Sequence, residues 1–153
     1  MESMEDFLEA CRRAALSDKL VLVKFYSKRC AACRRIAARY RRVALRYRQD
    51  IDCYDMEQDN AGRELLEARS VTQVPTVQMF HGAGVNRLAN LSCQPTQFKE
   101  VEEQIKVCIE SRRQELSEFA MVGGMMGREF IQETRDKNER MIDVLLGPPP
   151  GPA

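Results

Sequence analysis

Cys30-Ala31-Ala32-Cys33 constrains this chain more than any other stretch, because of what lies on either side of it. Residues 20–26, Leu-Val-Leu-Val-Lys-Phe-Tyr, form an apolar run that reads as a buried strand. Residues 31–48 carry Ile36, Tyr40, Val43 and Tyr47 at helical spacing. The motif therefore falls at a strand-to-helix turn, with the first thiol at a helix N-terminus. Backbone N–H groups are unpaired there, and the helix dipole favours negative charge. Such surroundings lower a thiol pKa from ~8.5 into the range of about 3.5–7.5, and the thiolate is the reactive form. The second thiol lies one helical turn on, close enough to close a disulfide. A redox pair is the leading expectation; half of a zinc site, or two buried thiols without chemistry, are the alternatives.

A structural zinc site wants four ligands, usually a second Cys-x-x-Cys or a histidine pair. This chain has a single histidine, His81, and its other cysteines, Cys11, Cys53, Cys93 and Cys108, lie far apart in sequence. The strand–motif–helix context favours redox chemistry. No metal and no cofactor are expected.

The length of 153 residues suits one domain plus an appendage. Net charge is only +1, which does not mark a nucleic-acid binder, but the charge is uneven. Between Lys28 and Arg48 every charged residue is basic, whereas acids dominate residues 50–67. That asymmetry would steer acidic partners toward the motif, and salt would weaken the steering; a merely solvated helix face is the alternative. Nucleic-acid binding through Arg34 to Arg48 lacks interleaved exposed aromatics, since Tyr40 and Tyr47 fall on the apolar face. Six cysteines without a signal-peptide pattern point to a reducing intracellular compartment. No run approaches the ~18 apolar residues that a membrane helix needs. The chain opens directly on a helix-like segment, so no organelle-targeting peptide is expected within it.

The elements read in the order αβαβαββα. Ser3-Met4-Glu5-Asp6 starts a helix whose apolar stripe is Phe7, Leu8, Cys11, Ala14 and Ala15. The strand at 20–26 and the motif helix follow, then a strand at 51–56 and a short helix at 60–69 carrying Leu65 and Leu66. After Val74-Pro75 come a strand at 76–80, a turn at 81–84 and a hairpin partner at 85–91. Pro95-Thr96 opens a helix with Phe98, Val101, Ile105, Val107, Cys108 and Ile109 as its apolar set. Helix-separated strands imply parallel pairing, and the late hairpin implies one antiparallel edge.

Over residues 4–111 this arrangement resembles the thioredoxin family. The residues that carry the resemblance are Val21 to Tyr26 before the cysteines, Cys30-Ala31-Ala32-Cys33-Arg34, and Val74-Pro75-Thr76. The resemblance implies an α/β thioredoxin fold, a mixed central sheet with flanking helices, here with a C-terminal helical extension. It implies that Cys30 is the nucleophile and Cys33 the resolving thiol. It also makes Val74-Pro75 the cis-proline segment that receives substrate backbone beside Arg29, Ala31 and Ala32. Phe25-Tyr26-Ser27 and Asn90-Leu91-Ser92-Cys93 are most similar to the atypical cysteine/histidine-rich thioredoxins of plastids, although histidine richness is missing here. The plastid stroma is then the expected compartment, with the cytosol as the alternative.

Three departures bear on mechanism. Ala31-Ala32 stands where the family usually has Gly-Pro, which should make the couple less reducing. Arg29 replaces the usual tryptophan and places a cation beside Cys30. Lys24 aligns with a buried acid to which the family assigns proton transfer toward the second cysteine. A charged lysine cannot act as that base, whereas a buried one with a lowered pKa could serve as a neutral amine; the expectation is instead that its stem snorkels to the surface or its ammonium pairs with a nearby acid. Lys24 and Cys93, at the groove edge, are the candidate modulators. Cys11, Cys53 and Cys108 are expected in the core, Cys93 is more often a small hydrophobe than a third reactive thiol, and His81 is expected on the surface.

Residues 112–153 lie beyond the resemblance. The last helix is expected to continue to about residue 122 before Gly123-Gly124 and Gly127 interrupt it. Residues 112–146 read as a helical extension, with a second amphipathic helix around Phe130 to Leu145, and 147–153 as a disordered Pro/Gly tail. The extension is expected to pack on its own domain or on a second copy. Two functions compete: a thiol–disulfide oxidoreductase, or a non-catalytic adaptor binding a partner through its basic helix or extension. The first implies disulfide-bearing target proteins and an upstream thiol reductase or oxidised peroxidase as partners.

Overall fold

A computed structural model describes residues 1, 3–81, 86–126, 136, 137 and 140, with side chains of the last helix described to Val122. Of the anticipated second amphipathic helix only residues 136, 137 and 140 are described, all three helical, and the anticipated Pro/Gly tail lies outside the described residues. Helix α1 (Met4–Leu16) starts on a capping box: the Ser3 hydroxyl accepts from the Asp6 N–H at 3.1 Å, and the Asp6 carboxylate accepts from the Ser3 N–H at 3.2 Å. Its apolar face buries Phe7, Ala10, Cys11 and Ala14.

Strand β1 (Leu20–Tyr26) is buried along almost its whole length, which is why it reads as a continuous apolar run and not an alternating one. It lies at the centre of a four-stranded sheet of order β2-β1-β3-β4, with β2 (Ile51–Glu57), β3 (Thr76–His81) and β4 (Asn86–Ser92). Strand β2 pairs parallel to β1 after the crossover helix α2 (Ala31–Arg46). Strand β3 runs antiparallel to β1, and β4 antiparallel to β3. Two antiparallel ladders are therefore present where the sequence suggested a single antiparallel edge. Chain direction at β3 follows from where the segment after the third helix re-enters the sheet, which local periodicity does not encode. The mixed sheet is otherwise the one the resemblance implies.

Each face of the sheet is covered by helices. On one side α2 and α4 (Phe98–Met126) pack Ile36, Tyr40, Val43, Phe98, Ile105 and Ile109 against Leu20, Leu22, Val77 and Met79. On the other, α1 and α3 (Gln58–Ala68) bring Phe7, Cys11 and Leu65 onto Val21, Val23, Phe25 and Phe80. Helix α3 is broken at Gly62, where φ is 74° and ψ 158°, a conformation an L side chain adopts only under strain. A 3₁₀ turn, Pro95–Gln97, leads into α4, which runs without a break through Arg112 and through Gly123-Gly124. Two glycines in a helix cost roughly 1 kcal/mol each relative to alanine and weaken it without ending it.

Candidate functional site

Cys30 is the N-cap of α2. Its backbone is extended (φ −83°, ψ 111°), so its side chain turns back over the first turn and its Sγ accepts from the Cys33 N–H at 3.0 Å. The Cys30 N–H donates to the Ser27 carbonyl at 3.1 Å, tying the loop after β1 to the helix start. Cα atoms of Cys30 and Cys33 are 5.2 Å apart, and their sulfur atoms are at bonding distance as a disulfide. The two thiols differ in exposure: Cys30 is half-buried, whereas Cys33 is 4% exposed. No acidic residue occupies the first turn of α2, so no side chain of that turn offsets the partial positive charge of the helix end.

The Val74–Pro75 bond is cis, and the Val74 carbonyl oxygen lies 3.9 Å from Cys30 Sγ. Pro75 is buried, and its carbonyl accepts from the Cys93 N–H at 2.9 Å. The fold thus brings Cys30, Cys33, Val74 and Pro75, remote in sequence, to one edge. Arg29 and Ala31 are exposed beside them and Ala32 is half-buried.

Cys93 does not open onto that edge. Its side chain is fully buried and packs with Val77 and Phe98, and burial pushes its thiol up to about 11 against the pull of Lys24 and Arg39. A folded-state value above the ordinary 9.0 stabilises the fold below that pH, and the contribution is lost as pH rises through 9 toward 11. Stability should fall with a slope of about 1.4 kcal/mol per pH unit from this thiol across that window. Urea unfolding of wild type and Cys93→Ala at pH 8, 9, 10 and 11 measures it; equal slopes in both would refute the assignment. Cys11 is fully buried, while Cys53 and Cys108 are half-buried against the core. His81 ends β3 half-buried, and burial lowers its pKa, with Arg112 adding to the shift.

Lys24 is 6% exposed on β1. Its ammonium pairs with Asp55 at 3.3 Å and sits over the Tyr40 ring, 4.5 Å from the centroid. Pairing with a nearby acid is therefore the outcome, and snorkelling to open water is not. Tyr40 is itself pinned: its hydroxyl donates to the Tyr54 carbonyl at 2.9 Å. Sequence reasoning did not name Asp55 as the partner, although Lys24 and Asp55 are opposite one another in the parallel β1–β2 register. The carboxylate is half-exposed, so water can solvate it when the lysine is removed. Lys24→Met is expected to change the unfolding free energy by less than about 1 kcal/mol, because the pair is not sealed from solvent. A urea-denaturation loss near the ~3–5 kcal/mol typical of breaking a buried pair would contradict this.

Among the described residues no group of three or more His, Cys, Asp or Glu side chains is placed to hold a metal ion, and no helix is long and apolar enough to cross a membrane.

Among solved structures, the chain is similar to the germline-specific thioredoxin Deadhead of Drosophila melanogaster, at 24% identity and a TM-score of 0.57, covering 69% of this chain and 95% of that one. It is similar to the thioredoxin of Trypanosoma brucei brucei at 19% identity and a TM-score of 0.58, covering 72% and 88%. Fasciola hepatica thioredoxin matches at 20% identity and a TM-score of 0.56, covering 67% and 94%. At such identities these likenesses speak to the fold. No curated protein matches the chain significantly. A model of the thioredoxin family does match, over residues 3–106. With that match spanning more than half of the sequence, and a cysteine pair at the head of α2 beside a cis-proline, the chain belongs to the thioredoxin family.

Proposed function

We propose that this protein is a thiol–disulfide oxidoreductase that exchanges disulfides with partner proteins through Cys30-Ala31-Ala32-Cys33. The observation that carries the reading is the Cys33 N–H aimed at Cys30 Sγ at 3.0 Å. In the reduced protein that donor, the helix end behind it and Arg29 favour thiolate at Cys30. The thiolate attacks one sulfur of a partner disulfide; a mixed disulfide forms and the partner's other sulfur leaves as thiolate. Cys33 then loses its proton and attacks Cys30 Sγ, releasing the partner's second thiol and leaving the intramolecular disulfide. Two electrons pass to the partner, and an upstream dithiol reductase restores the pair; where the partner is an oxidised peroxidase the forward steps leave the pair as a disulfide, and run backward against a target dithiol the same steps pass that oxidation on. Val74 and Pro75 seat the partner's extended backbone beside Cys30, and backbone pairing of this kind gives affinity with little demand on sequence. Ala31, Ala32 and Arg29 form the rim it meets. Lys24, held by Asp55, modulates the pair in place of the family's acid.

Cys11, Cys53, Cys93 and Cys108 are unpaired, which fits a reducing compartment, the plastid stroma or the cytosol. The plastid reading rests on the similarity of Phe25-Tyr26-Ser27 and Asn90 to Cys93 to the atypical plastid thioredoxins. Residues 1–111 are the exchange domain in this reading, and 112–153 an appendage to it.

A redox titration with thiol trapping and mass readout tests the proposal. A two-electron transition within about −120 to −300 mV, the span of known couples, is expected in the wild type and absent from Cys30→Ser and Cys33→Ser. If both thiols stay reduced throughout, exchange is wrong and the chain is an adaptor on this fold.

A further inference from the structure

Exchange chemistry uses only the first turn of α2. Seven arginines follow Cys33 between residues 34 and 48, with no acidic residue among them. Three of these, Arg39, Arg42 and Arg46, line a cleft of about 260 Å³ between α2 and α4, walled on the far side by Phe98, Lys99 and Glu102. Two of its cations are held in place. The Arg39 guanidinium donates to the Pro95 carbonyl at 3.0 Å and stacks over Phe98, 5.2 Å from the ring centroid. Arg46 is bonded to Glu102 at 2.6 Å. Arg42 is exposed and makes no hydrogen bond or ion pair among the described residues, and Lys99 is exposed beside it. Four cations thus face one carboxylate, which leaves the cleft strongly positive in a molecule of nearly balanced charge.

Its position relative to the thiols is set by the backbone. Pro75 accepts from the Cys93 N–H at 2.9 Å, and two residues further on the Pro95 carbonyl accepts from Arg39. The segment from Cys93 to Pro95 therefore bridges the Val74–Pro75 edge to the cleft. Along α2, Arg39 and Arg46 lie nine and sixteen residues beyond Cys30, which is about 14–24 Å of helix. An extended chain covers that distance in about four to seven residues.

We propose that this cleft docks an acidic segment of the disulfide-bearing partner, a cluster of Asp or Glu about four to seven residues from the cysteine that Cys30 attacks. The proposal rests on the exchange reading and names its substrate class. Guanidinium groups pair carboxylates bidentately, and fixed ones lose less freedom in doing so. Nucleic acid is the less suitable occupant. Single strands need exposed rings to stack on, whereas Tyr40 and Phe98 are buried and Phe98 is already covered by Arg39.

The test uses a fluorescent, cysteine-free peptide of five glutamates, its five-glutamine counterpart, and a single-stranded oligonucleotide of equal charge, titrated onto the oxidised full chain. Anisotropy should show the glutamate peptide binding at least about tenfold more tightly than the glutamine one at low salt, with the difference shrinking as the Debye length falls below ~10 Å. Arg42→Glu with Lys99→Glu should remove that difference, and Arg42→Gln with Lys99→Gln should remove most of it; circular dichroism checks that both variants fold. Equal binding of the two peptides overturns the proposal, as does unchanged binding by both double variants or tighter binding of the oligonucleotide. These peptides carry no sulfur, so failure here leaves exchange standing, and a failed redox titration leaves this result readable. With reduced protein and matching disulfide peptides, the ratio of reduction rates, acidic over neutral, should fall toward one in the double variants.

Discussion

Cys30→Ser is expected to lower the turnover of a protein disulfide by on the order of 10³-fold or more, whereas Cys33→Ser should make the first attack and then stall. The asymmetry follows from placement. Cys30 is half-buried at the helix end with the Cys33 N–H directed at its sulfur, so it is both reachable and favoured as thiolate. Cys33 is 4% exposed beneath it and meets no partner sulfur directly; its reach is to Cys30 Sγ. Serine at 33 leaves the nucleophile in place but removes the step that releases product. Reduced Cys33→Ser mixed with a disulfide substrate should accumulate a covalent adduct on non-reducing gels, cleaved by added thiol. Cys30→Ser should accumulate none. Adducts formed by Cys30→Ser through Cys33 would reverse the two roles.

Phe80→Ala is the substitution expected to cost the fold most, about 3–5 kcal/mol of unfolding free energy. Phe80 is fully buried on β3, where the second core lies. Its ring meets Phe7 edge-on at 5.0 Å between centroids, fastening α1 to the sheet. Such aromatic pairs contribute about 0.5–1.5 kcal/mol beyond the area they bury. The Arg69 guanidinium lies 4.2 Å from the Phe7 centroid and 5.2 Å from that of Phe80, extending the stack to the end of α3. Small domains have about 5–15 kcal/mol in total, so this loss would bring the chain close to its unfolding threshold. Urea denaturation of the oxidised protein should show a lower midpoint at unchanged slope. A loss under about 1.5 kcal/mol would mean that the cavity collapses and that Phe7 repacks.

Much of this architecture is legible in residue order because the relevant signals are local. The period of Ile36, Tyr40 and Val43 makes α2 a helix with one buried face, and all three are buried as that period requires. The unbroken apolar run of β1 marks a strand covered on both sides. Cys30 at the junction of the two elements is a helix cap for the same local reason, and its sulfur takes the N–H that the helix leaves unpaired. Capping at Ser3-Met4-Glu5-Asp6 is written in four consecutive residues.

What depends on chain segments meeting across the sheet was decided by the tertiary structure alone. The antiparallel course of β3, the register that sets Lys24 against Asp55 and the burial of Cys93 in one core with Val77 all involve residues more than twenty positions or a whole strand apart. The arginines of α2 are plain in the sequence, but their cleft exists only because α4 crosses beside them and the Pro95 carbonyl holds Arg39. Periodicity and capping are properties of a few neighbouring residues, so a sequence determines them directly. Direction, register and the pairing of remote charges come from the joint packing of all elements, which selects among arrangements that local preferences leave equal.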